Sequence, residues 1–295
     1  MGIYNLGRAS LLLDIEIINC KFLKNLVISI TCWLISSLFL PRVFLRFPVH
    51  DFTAKCVFLL LCFICNQNIK NEKERLFYIL WLIILLVSSG ASKGYAISAF
   101  ALGVYIYVCI FHKKISLIVL GAIGLLGVVA AWKDIYFYYI KGAQREYARA
   151  LILMTSIAIA NDYFPLGTGF GTFGSYYSKV NYSPVFYLYH LENHREIGEN
   201  TRLFIMDAYL PIIIAETGWI GAISIGVIMI ILLFCTFNAY QYSKNLFCAM
   251  LICMAYLAIS FVEETGFQQP ALMILALFLG VGLAKQYNVK EEQAM

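Results

Sequence analysis

The sequence predicts an all-α, polytopic membrane protein of about eight transmembrane helices, with one long extracytoplasmic loop between the fifth and sixth. Three observations carry this. Apolar residues make up 61% of the 295 residues. Charged residues supply only 13%, against about 25% in a soluble domain. The apolar residues are gathered in long runs, and mean hydropathy is +0.78. A formal charge of +5 is too modest to point to nucleic acid as a partner, so the lipid bilayer is the expected surrounding. No signal peptide is evident in MGIYNLGRASLLLDIEIINC, which carries acids and lacks a small-residue cleavage site.

A spanning helix needs roughly 20 mostly apolar residues, with about 17 to 25 tolerated. Segments 24–40, 52–66, 76–90, 95–111, 115–132, 208–236, 246–263 and 268–285 approach that length. The second and third are short and lean on their flanks. Between the runs, NIKNEKER (68–75), HKK (112–114), the link with Lys244 and the tail KQYNVKEE carry excess Lys or Arg. With eight spans all four fall on one side, which the positive-inside rule makes the cytoplasm. Arg42 and Arg46 of PRVFLRFPVHD fall on the other side, against the rule.

The chain is therefore read as one integral membrane domain, 1–295, whose segment 133–205 lies outside the cytoplasm. Connections this long inside a compact protein are usually functional. The first part, REYARALILMTSIAIAND, reads as a helix with an apolar body; the rest, rich in Tyr, Gly and Ser, reads as irregular.

Within that segment PLGTGFGTFGS (165–175) spells GxGxxG with Gly169, Gly171 and Gly174. A dinucleotide fingerprint needs a strand before the glycines, a helix after them and an acid about 20 residues on. Here they follow an apolar helix and lead into SYYSKVNYSP, so no βαβ unit can be drawn. The favoured reading is a tight turn where backbone passes close to another helix. The sharper alternative is backbone N–H groups approaching a bound anion. Of nine cysteines nearly all lie in apolar runs, where a free Cys acts as a small hydrophobe. Cys62 and Cys65 form a CxxC without a second ligand pair, so no metal or other cofactor is expected.

Three ordered pieces resemble the O-antigen ligase/polymerase superfamily of bacterial membrane glycosyltransferases. They are SSGASKGYAISAF, the arginine-bearing helix leading into PLGTGFG, and DAYLPIIIAETGWIGAI; NYSPVFYLYH between them is similar to the Tyr-Ser-Pro stretch of some polymerases. The match covers roughly 76–282. It departs from the family where many ligases have a histidine in place of Asp207 and an arginine in place of Lys93. Members also tend to be longer, with more spans before the first motif.

The resemblance implies an inner-membrane enzyme with its site facing the periplasm. Its donor would be an undecaprenyl-diphosphate-linked glycan and its acceptor a glycan or lipid-linked hydroxyl. The product would be a surface polysaccharide such as O-antigen, capsule or exopolysaccharide, with polymerase favoured over ligase. The departing diphosphate needs fixed cations, and Arg binds phosphate bidentately. Arg145 and Arg149, four apart on one helix face, and Lys93 are the expected diphosphate ligands, in place of a metal ion. Otherwise these cations snorkel to lipid phosphates.

Asp207 is the expected catalytic base, or else a helix N-cap; His190 and His194 are the fallback bases. Glu216, inside an apolar span, is expected to make a structural hydrogen bond to another helix or to orient the basic groups, with Gly167, Gly169 and Gly171 as further supporting residues. Glu263 and Glu264 close the seventh span at the same face. The loop tyrosines read as an interface belt. The alternatives are a glycan or anion transporter, which would show broken helices in matching halves, and an inactive truncated relative that binds the lipid carrier.

Overall fold

A computed structural model describes residues 20–39, 49–66, 69, 71–144, 147–206, 208–241, 243–263 and 274–283. The regular secondary structure of these residues is all helical, joined by turns and loops, with no strand among them. Among the described residues three helices are long and apolar enough to cross a membrane: Ser92–Ile110, Tyr209–Gln241 and Lys244–Phe261. Phe52–Cys65, Leu117–Ala130 and Ile274–Leu283 are apolar but shorter.

The chain divides into two compact units. The first contains α1 (Cys20–Phe39), α2 (Val49–Cys65), α3 (Glu72–Ser88), α4 (Ser92–Ile110) and α5 (Leu117–Ala130). It also takes in 233–257 and 269–295. Consecutive helices α1 to α5 pack on one another. On α3 the side chains of Phe77, Leu80, Ile84 and Val87 are exposed, while Ile79, Leu82, Ile83 and Leu86 are buried. Spacings of three and four residues put each set on one face. An exposed stripe this apolar is what a lipid-facing helix presents.

Small residues bring α4 against its neighbours. A Cβ on Gly94 would meet the carbonyl oxygen of Leu86, one on Gly103 would meet Ile123, and one on Gly127 of α5 would come 3.1 Å from the Ala96 carbonyl. Small residues let backbones approach closely where lipid supplies no hydrophobic drive. Cys62 and Cys65 are buried in α2 among apolar side chains.

The second unit comprises 131–232 and 258–268. It starts with a helical stretch, α6 (132–144), whose middle, Tyr136–Ile140, is a π-turn. After Tyr147 comes α7 (Ala148–Asp162), then the glycine segment, then two short helices, α8 (Tyr176–Asn181) and α9 (Pro184–Leu188). Turns follow, leading into α10 (Tyr209–Asn238). The segment expected to be largely irregular has its own core. Ile152 and Ile159 of α7 meet Phe173, Tyr182, Phe186, Ile197, Ile205 and Ala215 in one buried cluster. The rings of Tyr182 and Phe186 stack at 4.9 Å.

Candidate functional site

The sequence run 208–236 reads as one continuous span, but α10 is broken. Gly218 has φ 63° and ψ −164°, outside the helical region. In an unbroken helix the carbonyls of Ala215 and Glu216 accept from the N–H groups four residues on. Here the glycine segment takes over part of that pairing. Thr168 N–H donates to the Ala215 carbonyl at 3.0 Å, and Gly169 N–H donates to the Glu216 carbonyl at 2.9 Å. In return Ile220 N–H points to the Pro165 carbonyl at 3.4 Å. Loop and break thus exchange backbone hydrogen bonds across about 50 residues of sequence, which pairs groups that the break would otherwise leave without their helical partners.

Two glycines make this approach possible. A Cβ on Gly167 would lie 2.3 Å from the Ala215 carbonyl oxygen, and one on Gly218 would lie 2.3 Å from that of Pro165. Both have positive φ, 72° and 63°, which glycine adopts without steric cost. The turn reading of the glycine run is therefore the one realised. Gly169 has φ 93° and open space around its missing Cβ, but its N–H is committed to Glu216. Gly171, φ 81°, faces the Tyr177 ring.

Glu216 is buried, and its carboxylate accepts from Phe173 N–H at 3.1 Å. Its backbone carbonyl and side chain thus hold both ends of the glycine run, the structural hydrogen bond expected of it, though to a loop rather than to a helix. Two hydroxyls brace the interior of the run: those of Thr168 and Thr172 lie 2.6 Å apart, and the latter donates to the Gly169 carbonyl at 2.7 Å. At the run's entry Trp219 Nε1–H donates to Asn161 Oδ1 at 2.9 Å, and Tyr189 O–H donates to Asp162 Oδ2 at 2.7 Å. Burial and that carboxylate push the Tyr189 phenol well above its ordinary range.

Arg149 is half-buried near the start of α7, with its guanidinium 4.6 Å from the centre of the Tyr138 ring. Arg145 and Asp207 lie outside the described residues. The expectation that Arg145 and Arg149 share one helix face therefore falls partly outside the described residues. Tyr147 is extended (φ −68°, ψ 143°) and α7 starts only at Ala148, so Arg149 stands in its first turn.

In place of a sequence-local cap, α7 receives the Glu196 carboxylate, which accepts Ala148 N–H at 2.9 Å. Nothing local in the sequence signals this, because the partners are 48 residues apart. The fallback bases differ. His190 is exposed, with φ 56°. His194 Nδ1 accepts from Glu196 N–H at 3.2 Å, which puts the ring proton on Nε2.

Arg202, which no motif marks, closes the loop. It donates to the carbonyls of Glu199, Lys179 and Val180 at 2.6, 3.2 and 2.7 Å, and its guanidinium lies 5.1 Å from the centre of the Tyr182 ring.

In the first unit Lys93 occupies the second position of α4 and is fully buried, its Nζ 5.8 Å from the centre of the Tyr256 ring. The Tyr256 hydroxyl shares a 3.0 Å hydrogen bond with Thr53. Nothing is described of the side chain of Glu263, and Glu264 lies outside the described residues. Among the described residues no three His, Cys, Asp or Glu side chains come together in a way that could hold a metal ion. No family model, curated protein or solved structure matches the chain.

Proposed function

We propose that the protein is a multi-pass glycosyltransferase of the bacterial inner membrane that polymerises or ligates undecaprenyl-diphosphate-linked oligosaccharides into a surface polysaccharide. One observation carries the reading. The two pieces of sequence that most resemble the O-antigen ligase/polymerase superfamily, PLGTGFG and AETGWIG, meet as one hydrogen-bonded unit through Thr168, Gly169 and Glu216. The arginine-bearing helix α7 packs into the same core. Pieces far apart in sequence that form one folded unit are what a shared site requires.

In this reading about eight helices span, with 133–205 at the periplasmic face. The acceptor hydroxyl attacks the anomeric carbon, the bond to the carrier's diphosphate oxygen breaks, and the hydroxyl proton passes to Asp207. Arg149, Arg145 and Lys93 meet the charge on the departing diphosphate, in place of a metal ion. His190 is the fallback base. His194 could serve only after giving up the hydrogen bond at Nδ1.

A transporter reading draws on the broken helix, since unwound carbonyls can hold a coupling ion. Here the Ala215 and Glu216 carbonyls are already occupied by Thr168 and Gly169 N–H groups, which favours the enzyme.

The test is complementation of a polysaccharide-polymerase-deficient host that supplies the cognate repeat unit. Wild type should restore long chains, whereas Arg149→Ala and Asp207→Ala, at matched membrane expression, should leave single units. If wild type restores nothing, an inactive relative that binds the carrier becomes the better reading.

A further inference from the structure

The glycine segment carries a second feature that its role in bracing α10 does not use. Phe164, Leu166 and Phe170 are 71%, 65% and 87% exposed. Three large apolar side chains on one short loop are costly to leave in water. Meanwhile the backbone that carries them is turned inward. The N–H groups of Tyr163, Phe164, Gly167, Thr168 and Gly169 all donate within the protein, and Pro165 has none to donate. Between 163 and 170 only Leu166 and Phe170 lack a described backbone donation. A loop with apolar side chains outward and amides satisfied inward matches what lipid demands of a non-helical segment.

Its place on α10 identifies the occupant. The loop is hydrogen-bonded to Ala215, Glu216 and Ile220 and packs closely on Gly218, where the helix changes character. Before the break, residues 211–216 are buried in the second unit. After it Ile220, Ile223, Val227 and Ile228 are exposed, and only 6% of the most apolar stretch of this helix is buried. The part after the break, 219–238, is about 30 Å long at 1.5 Å per residue, close to the thickness of a bilayer's hydrocarbon core. Gly218 therefore marks the edge of the apolar layer. Trp219, anchored on Asn161, sits where amphipathic aromatics collect. The exposed side chains of the loop are thus carried beside the point where α10 becomes exposed.

We propose that residues 163–170 form a membrane-inserted wedge, with Phe164, Leu166 and Phe170 seated among lipid acyl chains beside the start of the exposed part of α10. The occupant is the bilayer itself, and the proposal does not depend on the transfer chemistry. The polar groups that border the wedge, Asn161 and Asp162, are held by Trp219 and Tyr189. The wedge ties the second unit to the membrane at a point remote in sequence from either end of α10.

The full chain, reconstituted in phosphatidylcholine/phosphatidylglycerol nanodiscs, tests this with an environment-sensitive fluorescent amino acid placed at position 170 or 166. Position 223 serves as the lipid reference and position 200, at the exposed Asn200, as the water reference. Doxyl-labelled lipid should quench positions 170 and 166 to the same extent as 223, and aqueous iodide should quench them several-fold less than 200. Quenching by iodide as strong as at 200, with none by doxyl lipid, overturns the proposal. Protection from both quenchers overturns it too, since the surface is then covered by a second copy or another protein. Phe170 is the most exposed of the three, so the label displaces no core contact there, and agreement at 166 guards against a local artefact.

Discussion

Gly218 is where backbone geometry and packing demand the same residue. Its φ of 63° suits glycine, and the missing Cβ makes room for the Pro165 carbonyl. Alanine there must distort the helix break and push the loop away, at a cost of about 1–3 kcal/mol. Gly226 lies further along the same helix with nothing within 4 Å of its missing Cβ. Gly218→Ala should therefore lower the unfolding temperature in detergent by several degrees, while Gly226→Ala leaves it unchanged or raises it; equal effects would refute the close approach. Glu216 makes a second prediction. Gln keeps an acceptor for Phe173 N–H and Ala does not, so Glu216→Ala should cost about 1–3 kcal/mol and Glu216→Gln far less. Both are read from the same melting curves.

Tyr182 links the lobe's core to pH. Burial raises its phenol to about 12, above the ordinary value of about 10. A raised folded pKa means the folded state holds the proton more tightly. Its contribution is complete below about pH 10 and fades as pH climbs toward 12. Stability should fall across that window, and Tyr182→Phe should flatten the fall. An unchanged slope would show that another group titrates.

At the scale of elements, much was legible because hydropathy reports burial or lipid contact directly. The runs 76–90, 95–111 and 246–263 correspond to helices Glu72–Ser88, Ser92–Ile110 and Lys244–Glu263. The break in α10 was not legible, since apolar residues continue through it and hydropathy does not register a change of φ. The late start of α7 was hidden for a related reason: neither hydropathy nor spacing registers the extended Tyr147 that precedes it. The candidate site was therefore legible as two motifs, not as one hydrogen-bonded object. The cap of α7 was beyond any local reading, and it makes its own prediction. Removing the Glu196 carboxylate exposes an orphan N–H at a helix start, so Glu196→Ala should cost about 1 kcal/mol. Glu196→Gln should recover most of it, as read by hydrogen exchange over α7; equal protection in both variants would mean that the cap contributes nothing.

Over the whole molecule the decisive question is which helices cross the membrane and in which direction. α5 is the critical case, because it has 14 residues and spans only about 21 Å at 1.5 Å per residue, short of the roughly 30 Å core. Yet Ile118, Leu125, Leu126 and Val129 are exposed along it, and Trp132 lies exposed just beyond its end. With flanking residues added and the bilayer thinned locally, a helix of this kind can cross. Lys113 and Lys114, exposed before it, belong on the cytoplasmic side by the positive-inside rule. Alkaline phosphatase, active only outside the cytoplasm, should then be inactive when fused after Lys114 and active when fused after Asn200. The reverse pattern would put α7 and its Arg149 in the cytoplasm and end the proposal of transfer from a donor on the periplasmic face. Equal activity at both positions would mean that an even number of crossings separates them, so that α5 lies in or on the bilayer without traversing it.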